Sequence, residues 1–398
     1  MTSAGLHLMN GSPPAAEAQV TLANWRLPPY NRWAFSRVRE LIATAAIAGA
    51  GRAERACENL DLTGCAIARP QGGQVSFKGW LEETFSDGLA VIRDGRLLAE
   101  LYPGDLMAGQ PHIVFSVSKS ITAIAAGILA GEGLIDPAWP VTRLIPEAEA
   151  SAYGDASIRH VLDMTVSVDF AEDYLDPTGI FARYREATMW NLPVPGQAPK
   201  PGDLRGFLLT LKKGRREHGE AFRYVSPNSD LLGWLLERAA GKRYGDLVSE
   251  LIWKPMAAAH EAAVTLDSLG GSRAAGGVCV SLTDLARFGE LVLNGGALDG
   301  RRICPAAWIE DMWTGGDRAA WLSGDMVSLF PQGRYRSKWY QTGNDHQSLA
   351  AIGIHGQWIW IDPVTRVVVA KLSSQPLPLD DRLDRLTVAG LDAIARWV

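Results

Sequence analysis

The run Ser116-Val117-Ser118-Lys119-Ser120-Ile121-Thr122-Ala123-Ile124-Ala125-Ala126-Gly127-Ile128-Leu129-Ala130-Gly131 constrains the fold more than any other segment. It reads as one helix, stopped at Gly131 or Gly133, and after Lys119 it carries no charge. A helix that is apolar on every face has to be buried in the middle of a fold, and its small residues let neighbours approach closely. A chain of 398 residues is long enough to build the layers that cover it. Lys119 stands at the mouth of this helix, where a charge is costly unless it finds a partner. Ser116 lies one turn away on the same face.

The flanking sequence supplies strands at both ends and helices between. Residues 1 to about 35 are rich in Gly, Pro and Ala and carry Trp25, Tyr30 and Trp33, which reads as an extended arm held to a surface by its aromatics. Residues 36–60 are Ala-rich and read as helical. Two apolar runs around Asp94-Gly95 within 88–102 signal a hairpin. Residues 155–165, 228–240 and 244–254 read as helices, and Ser281-Leu282-Thr283-Asp284 opens another that runs to Asn294. The stretch 170–220, with Pro177, Pro193, Pro195, Pro199 and Pro201, reads as irregular and as a binding region. Residues 356–361 and 366–372 are strands around Asp362-Pro363, followed by a helix over 383–397. The expected fold is α/β in the α+β sense. A central antiparallel sheet is built from both chain ends and flanked by helices, beside a mostly helical lobe. The expected domains are 1–145 with 256–398 as the α/β unit, and 146–255 as the helical unit lining the site.

Composition excludes several functions. The net charge is -5 and no basic stripe is visible, so nucleic acid is not an expected partner. No apolar run approaches 18 residues, so no membrane span is expected. The N-terminus has no signal-peptide pattern, and Cys57, Cys65, Cys279 and Cys304 lack C-x-x-C spacing. Free thiols in a cytoplasmic protein are the expectation. The seven histidines form no metal-binding pattern, and no phosphate loop or dinucleotide fingerprint occurs, so neither metal nor cofactor is expected. The absence of Gly-x-Ser-x-Gly argues against an α/β-hydrolase.

Three segments carry candidate chemistry. A serine hydroxyl is a poor nucleophile until its proton is removed, and a desolvated lysine one turn away can remove it. Ser116 and Lys119 fit that pairing. Tyr224, in Phe222-Arg223-Tyr224-Val225-Ser226-Pro227-Asn228, is either a residue beside a helix cap at Asn228 or Ser229, or a proton shuttle. The shuttle reading has its phenolate favoured by Lys119. Gly353-Ile354-His355-Gly356 precedes a strand and is either a plain turn or a place where backbone N–H groups meet a developing oxyanion. His355 is either a packing partner or part of a pocket wall. Of 14 tryptophans, Trp190, Trp339 and Trp358 lie where they can rim a pocket, whose apolar lining would suit acyl chains of no particular charge.

Together these segments resemble the serine β-lactamase and penicillin-recognising hydrolases of the class C and esterase type, and among them the 6-aminohexanoate-dimer hydrolases. The resemblance extends over Pro29 to Phe35, Ser116 to Ser120, Val161 to Met164, Glu172 to Tyr174, Phe222 to Asn228, Ala275 to Val278 and Gly353 to Gln357. It implies Ser116 as nucleophile, Lys119 and Tyr224 as the acid–base network, and the N–H groups of Ser116 and Ile354 as oxyanion hole. It also implies Tyr174 as a bond to the scissile nitrogen, and a β-lactamase/transpeptidase-like fold. Two departures follow from the same resemblance. Class C lactamases have tyrosine, one residue, then asparagine, whereas Tyr224 and Asn228 are four apart, and Ile354-His355-Gly356 replaces the Lys-Thr-Gly signature. Arg185 and Ala275 stand where efficient nylon-dimer hydrolases resemble this chain but carry aspartate and asparagine.

The expected activity is acyl-enzyme hydrolysis of short linear amides or carboxylic esters. An arginine at 185 disfavours the ammonium end of a 6-aminohexanoate dimer and leaves esterase activity on small acyl esters. The alternatives are a β-lactamase or D-amino-acid peptidase of the same fold, and a non-catalytic binding protein. The expected partner is the small-molecule substrate, and a homodimer is compatible with this reading.

Overall fold

The computed structural model describes residues 7–192 and 203–398. Pro193, Pro195, Pro199 and Pro201, which the sequence places in a binding stretch, lie outside the described residues. The centre is a seven-stranded antiparallel sheet. Its order is Arg334–Arg336, Trp339–Gln341, Leu349–Gly353, Gln357–Asp362, Val367–Ser373, Ser86–Arg93, Arg96–Leu101. The strands from the two ends of the chain meet where Val368 faces Ile92 and Ala370 faces Ala90. Asp94 and Gly95 turn the hairpin with φ of 47° and 81°, the left-handed pair that a two-residue turn requires.

The Val117–Gly131 helix lies under this sheet, with every residue from Val117 to Leu129 buried. It packs against the Leu349–Gly353 strand and the Pro227–Ala240 helix. Close approach depends on Gly127, where a β-carbon would fall 2.5 Å from the Trp308 ring. The helices of residues 141–253 close the other side, and one apolar cluster joins Ile121, Leu232 and Val368 across both regions. No helix among the described residues is long and apolar enough to cross a membrane.

Three segments differ from their sequence reading. Residues 36–60 hold only a 3-10 turn at Val38–Glu40 and a strand at Thr44–Ile47, not a helix. That strand pairs with Ala262–Thr265 in a second sheet of four strands, so tertiary pairing overrides the helix propensity of alanine. Residues 170–220 are not wholly irregular, because helices occupy Ile180–Ala187 and Leu204–Thr210. Their buried residues Phe181, Tyr184, Ala187, Leu204, Phe207 and Leu208 recur at helical spacing, a signal masked by the surrounding prolines. Neither Asn228 nor Ser229 caps the Pro227–Ala240 helix; Ser226 takes the cap position and turns its hydroxyl elsewhere.

The Asp381–Trp397 helix covers the outer face of the sheet and seats Gly390 against Trp80, whose indole donates to the Leu386 carbonyl at 2.9 Å. A β-carbon at Gly390 would lie 2.1 Å from the Trp80 ring. On helix propensity alone, Gly390→Ala stabilises by about 1 kcal/mol. The overlap is expected to win and to destabilise by about 1–3 kcal/mol, read as a lower urea midpoint.

Candidate active site

The Val117–Gly131 helix is entered through a strained residue. Phe115 has a φ of 42°, which a bulky side chain adopts only when its surroundings hold it there. Its ring is clamped by Trp25, Phe35, Trp190 and His355. The bend brings Ser116 to the helix cap with only 8% of its surface exposed.

Lys119 is buried, and its Nζ donates to Ser116 Oγ and to the Ala275 carbonyl, both at 2.7 Å. Burial lowers its pKa to about 7; Glu172 and Asp230 work against the shift and Arg273 with it. Desolvation thus leaves a substantial neutral amine at neutral pH.

The Ala275 carbonyl is aimed by a second buried group. Asp230 Oδ1 accepts from the Ala275 N–H at 2.7 Å, and Oδ2 accepts from Arg273 Nη1 at 2.6 Å and from the Tyr184 hydroxyl. The Arg273 guanidinium lies over the Tyr184 and Trp190 rings. This ion pair is almost fully buried; Arg273 Nε has no hydrogen-bond partner, and direct pairing with Asp230 is what makes the buried charges tolerable.

Tyr224 is half-buried, its ring 5.0 Å from Lys119 Nζ, and Ser116 is close enough to favour its charged form slightly. Burial, followed by the Glu172 charge, pushes the phenol well above its ordinary pKa, and Ser116 offsets little of this. The phenolate expected from the sequence is therefore disfavoured, and Tyr224 is held as the neutral phenol at neutral pH. Glu172 ties this side together. Its Oε1 accepts from the Tyr174 hydroxyl at 2.5 Å and the Ser226 hydroxyl at 2.6 Å, and its Oε2 from the Ser226 N–H at 2.6 Å. Burial and Glu172 also keep the Tyr174 phenol protonated. Ser226, two residues beyond Tyr224, faces the site where the sequence reading looked to Asn228, which is buried against Met164. Glu172, Ser226, Asp230 and Arg273 have no assigned role in the sequence reading. The Tyr224-x-Ser226 spacing was a usable signal for one of them.

Opposite Ser116, residues 354–356 form a three-residue turn between Leu349–Gly353 and Gln357–Asp362. His355 and Gly356 take φ of 60° and 87°. At Gly353 a β-carbon would stand 2.5 Å from the Val114 carbonyl oxygen and 3.1 Å from the Ser116 nitrogen, so only glycine lets the two backbones meet. Among the described residues, neither the Ser116 nor the Ile354 N–H donates to another backbone group. His355 both packs and lines the pocket: its Nδ1 meets the Gln375 carbonyl at 2.7 Å, its ring touches Phe35, and burial lowers its pKa to about 4.

Two hollows meet at Ile354. A cavity of about 180 Å³ is lined by Ser116, Tyr174, Ala275, Ile354 and Trp190, and the arm contributes Trp25 and Arg26 to its wall. A cleft of about 910 Å³ holds Tyr224 and is shared by Glu172, Tyr174 and Ile354. Arg185 lines the cavity, with its guanidinium over the Phe181 ring. Trp339 and Trp358 are fully buried in the core and rim neither hollow. The cavity is not indifferent to charge as its aromatic lining suggested, because Arg26, Arg185 and Arg273 all face it.

The family model for Beta-lactamase matches residues 81–393. The chain is 39% identical over 366 residues to the 6-aminohexanoate-dimer hydrolase of Paenarthrobacter ureafaciens, covering 92% of this chain and 91% of that one. A Bacillus anthracis structure provisionally named 6-aminohexanoate-dimer hydrolase superposes with a TM-score of 0.86 at 24% identity, over 97% of this chain and 98% of its own. A family VIII carboxylesterase superposes with a TM-score of 0.58 at 16% identity, over 82% of this chain and 98% of its own. The last two speak for the fold, a β-lactamase/transpeptidase-like arrangement of antiparallel sheets and helices. The chain belongs to the beta-lactamase family and is a serine hydrolase.

Proposed function

We propose that the protein hydrolyses short linear amides and carboxylic esters through an acyl-enzyme on Ser116, with Lys119 as base and Tyr224 as acid. The observation that carries this is the 2.7 Å contact between the Ser116 hydroxyl and a buried Lys119 amine whose pKa is lowered to about 7. Lys119 takes the serine proton as Oγ bonds to the substrate carbonyl carbon. The carbonyl oxygen becomes an oxyanion between the N–H groups of Ser116 and Ile354, which have no competing backbone partner among the described residues. The tetrahedral intermediate collapses as Tyr224 gives its proton to the leaving nitrogen or oxygen, and the proton on Lys119 restores Tyr224. Water then repeats the sequence on the acyl-enzyme and frees Ser116. Tyr174, held by Glu172, reaches the scissile nitrogen from the shared edge of the two hollows.

Residues 146–255 act as the helical domain that brings Glu172, Tyr174, Arg185 and Tyr224; 1–145 and 256–398 bring Ser116, Lys119, Ala275 and Ile354. The lysine of a Lys-Thr-Gly signature is missing at Ile354-His355-Gly356, which disfavours a β-lactam carboxylate and ranks penicillin hydrolysis below ester and amide hydrolysis. The four free cysteines support a cytoplasmic setting.

A fluorophosphonate is expected to label the protein stoichiometrically and Ser116→Ala not at all; labelling that survives the substitution would place the nucleophile elsewhere. Tyr224→Phe is expected to lower kcat by about 10²–10⁴-fold, the range for loss of a general acid. Lys119 binds its proton below about 7 and releases it above, so kcat/KM on p-nitrophenyl acetate should rise with pH through a midpoint near 7. A flat profile from pH 5 to 9 argues against Lys119 as base. In a panel of p-nitrophenyl acetate, p-nitrophenyl butyrate, nitrocefin and linear and cyclic 6-aminohexanoate dimers, the esters should turn over best. Efficient turnover of the linear dimer contradicts the placement of Arg185.

A further inference from the structure

The cavity beside Ser116 has an unusual charge layout. Of the three guanidinium groups that line it, only Arg273 has a carboxylate partner, the buried Asp230. Arg26 comes from the N-terminal arm, stacks 5.1 Å over Trp25 and donates to the neutral Asn191 side chain. Arg185 donates to the backbone carbonyls of Tyr174 and Asp176 at 3.2 and 3.3 Å. Arg26 Nη1 and Arg185 Nε are both buried without a hydrogen-bond partner. Among the described residues neither side chain makes an ion pair within 4.0 Å. Asp173 and Asp176 lie near enough to favour the Arg185 charge but do not pair with it.

Among the described residues Glu172 is the one carboxylate in the wall, and it is already occupied by Tyr174 and Ser226 at the serine end. The cations repel one another: burial, then Arg185 and Arg273, lower the Arg26 pKa to about 9. Holding unpaired guanidinium groups in a partly desolvated cavity is costly, and a carboxylate that enters it recovers that cost through charge-assisted hydrogen bonds. A substrate ammonium would add to the repulsion.

The two hollows also differ in which half of a substrate they suit. Tyr224 lines the open cleft and not the cavity, so a group that leaves with the Tyr224 proton departs through the cleft. The acyl half then remains in the cavity with the arginines.

We infer that the cavity is an anion-selecting acyl pocket, in which Arg26 and Arg185 recognise amides and esters whose acyl chain ends in a carboxylate. This rests on Ser116 as the point of attack. The substrates in view are monoamides and monoesters of linear dicarboxylic acids.

Three methyl esters of one six-carbon acyl length separate the cases: monomethyl adipate, methyl hexanoate and methyl 6-aminohexanoate. Binding is read by calorimetry on Ser116→Ala, which cannot turn them over, and kcat/KM on the unmodified protein. Monomethyl adipate is expected to bind at least tenfold more tightly than methyl hexanoate, with methyl 6-aminohexanoate weakest, and kcat/KM to follow the same order. Arg26→Gln and Arg185→Gln should each reduce the adipate-to-hexanoate ratio about tenfold, while Arg26→Lys and Arg185→Lys keep most of it. Equal binding of the three esters, or preference for the ammonium, overturns the pocket assignment even if all are hydrolysed. Selective binding of the adipate ester without any hydrolysis supports the pocket and instead removes the catalytic reading of Ser116. If the glutamine variants fail to fold, the order of the three esters on the parent protein decides.

Discussion

The proposed catalytic geometry depends on keeping an amine dry. Lys119 occupies the centre of the molecule because the helix that bears it is apolar all round and has to be covered. Burial alone would leave that amine free to turn away from the serine. The Ala275 carbonyl prevents this by offering a second acceptor, and the Asp230–Arg273 pair fixes the peptide that presents it. The Lys119 amine is thus tuned by desolvation and aimed by an ion pair whose Arg273 also lines the cavity. The sheet completes the same constraint from the other side, where Gly353 lets the Ile354 turn press against the Ser116 backbone.

Much of this was legible in the sequence, for local reasons. Ser116 and Lys119 are one turn apart, and spacing within a helix survives folding. The Asp94-Gly95 turn and the strands around Asp362-Pro363 are equally local and lie where the sequence places them. What escaped is held by distance. Asp230 and Arg273 are 43 residues apart and belong to no motif, so nothing along the chain announces their pairing. The Thr44–Ile47 strand looks like helix because alanine favours helix in isolation; only its partner strand 215 residues or more away says otherwise. The protonation state of Tyr224 was misjudged because the desolvation and the Glu172 charge that set it come from residues the sequence does not place beside it.

Charge divides the site into regions of different purpose. At the serine end Glu172 collects hydroxyl and amide donors and holds the phenols of Tyr174 and Tyr224 in their neutral forms. Elsewhere in the cavity wall the charged groups among the described residues are Arg26, Arg185 and Arg273. Relatives of this fold include carboxylesterases and hydrolases with acyltransferase activity. A common reaction core with a separately charged acyl wall is one way such a fold takes different substrates.

The central sheet has a consequence for how the protein comes into being. Its middle pairing joins residues near 90 to residues near 370, and the serine stands across from a turn at residue 354. A chain emerging from the ribosome makes the apolar helix more than two hundred residues before the Gln357–Asp362 strand that helps to cover it. The site is therefore complete only once the Leu349–Gly353 and Gln357–Asp362 strands have set their turn against Ser116.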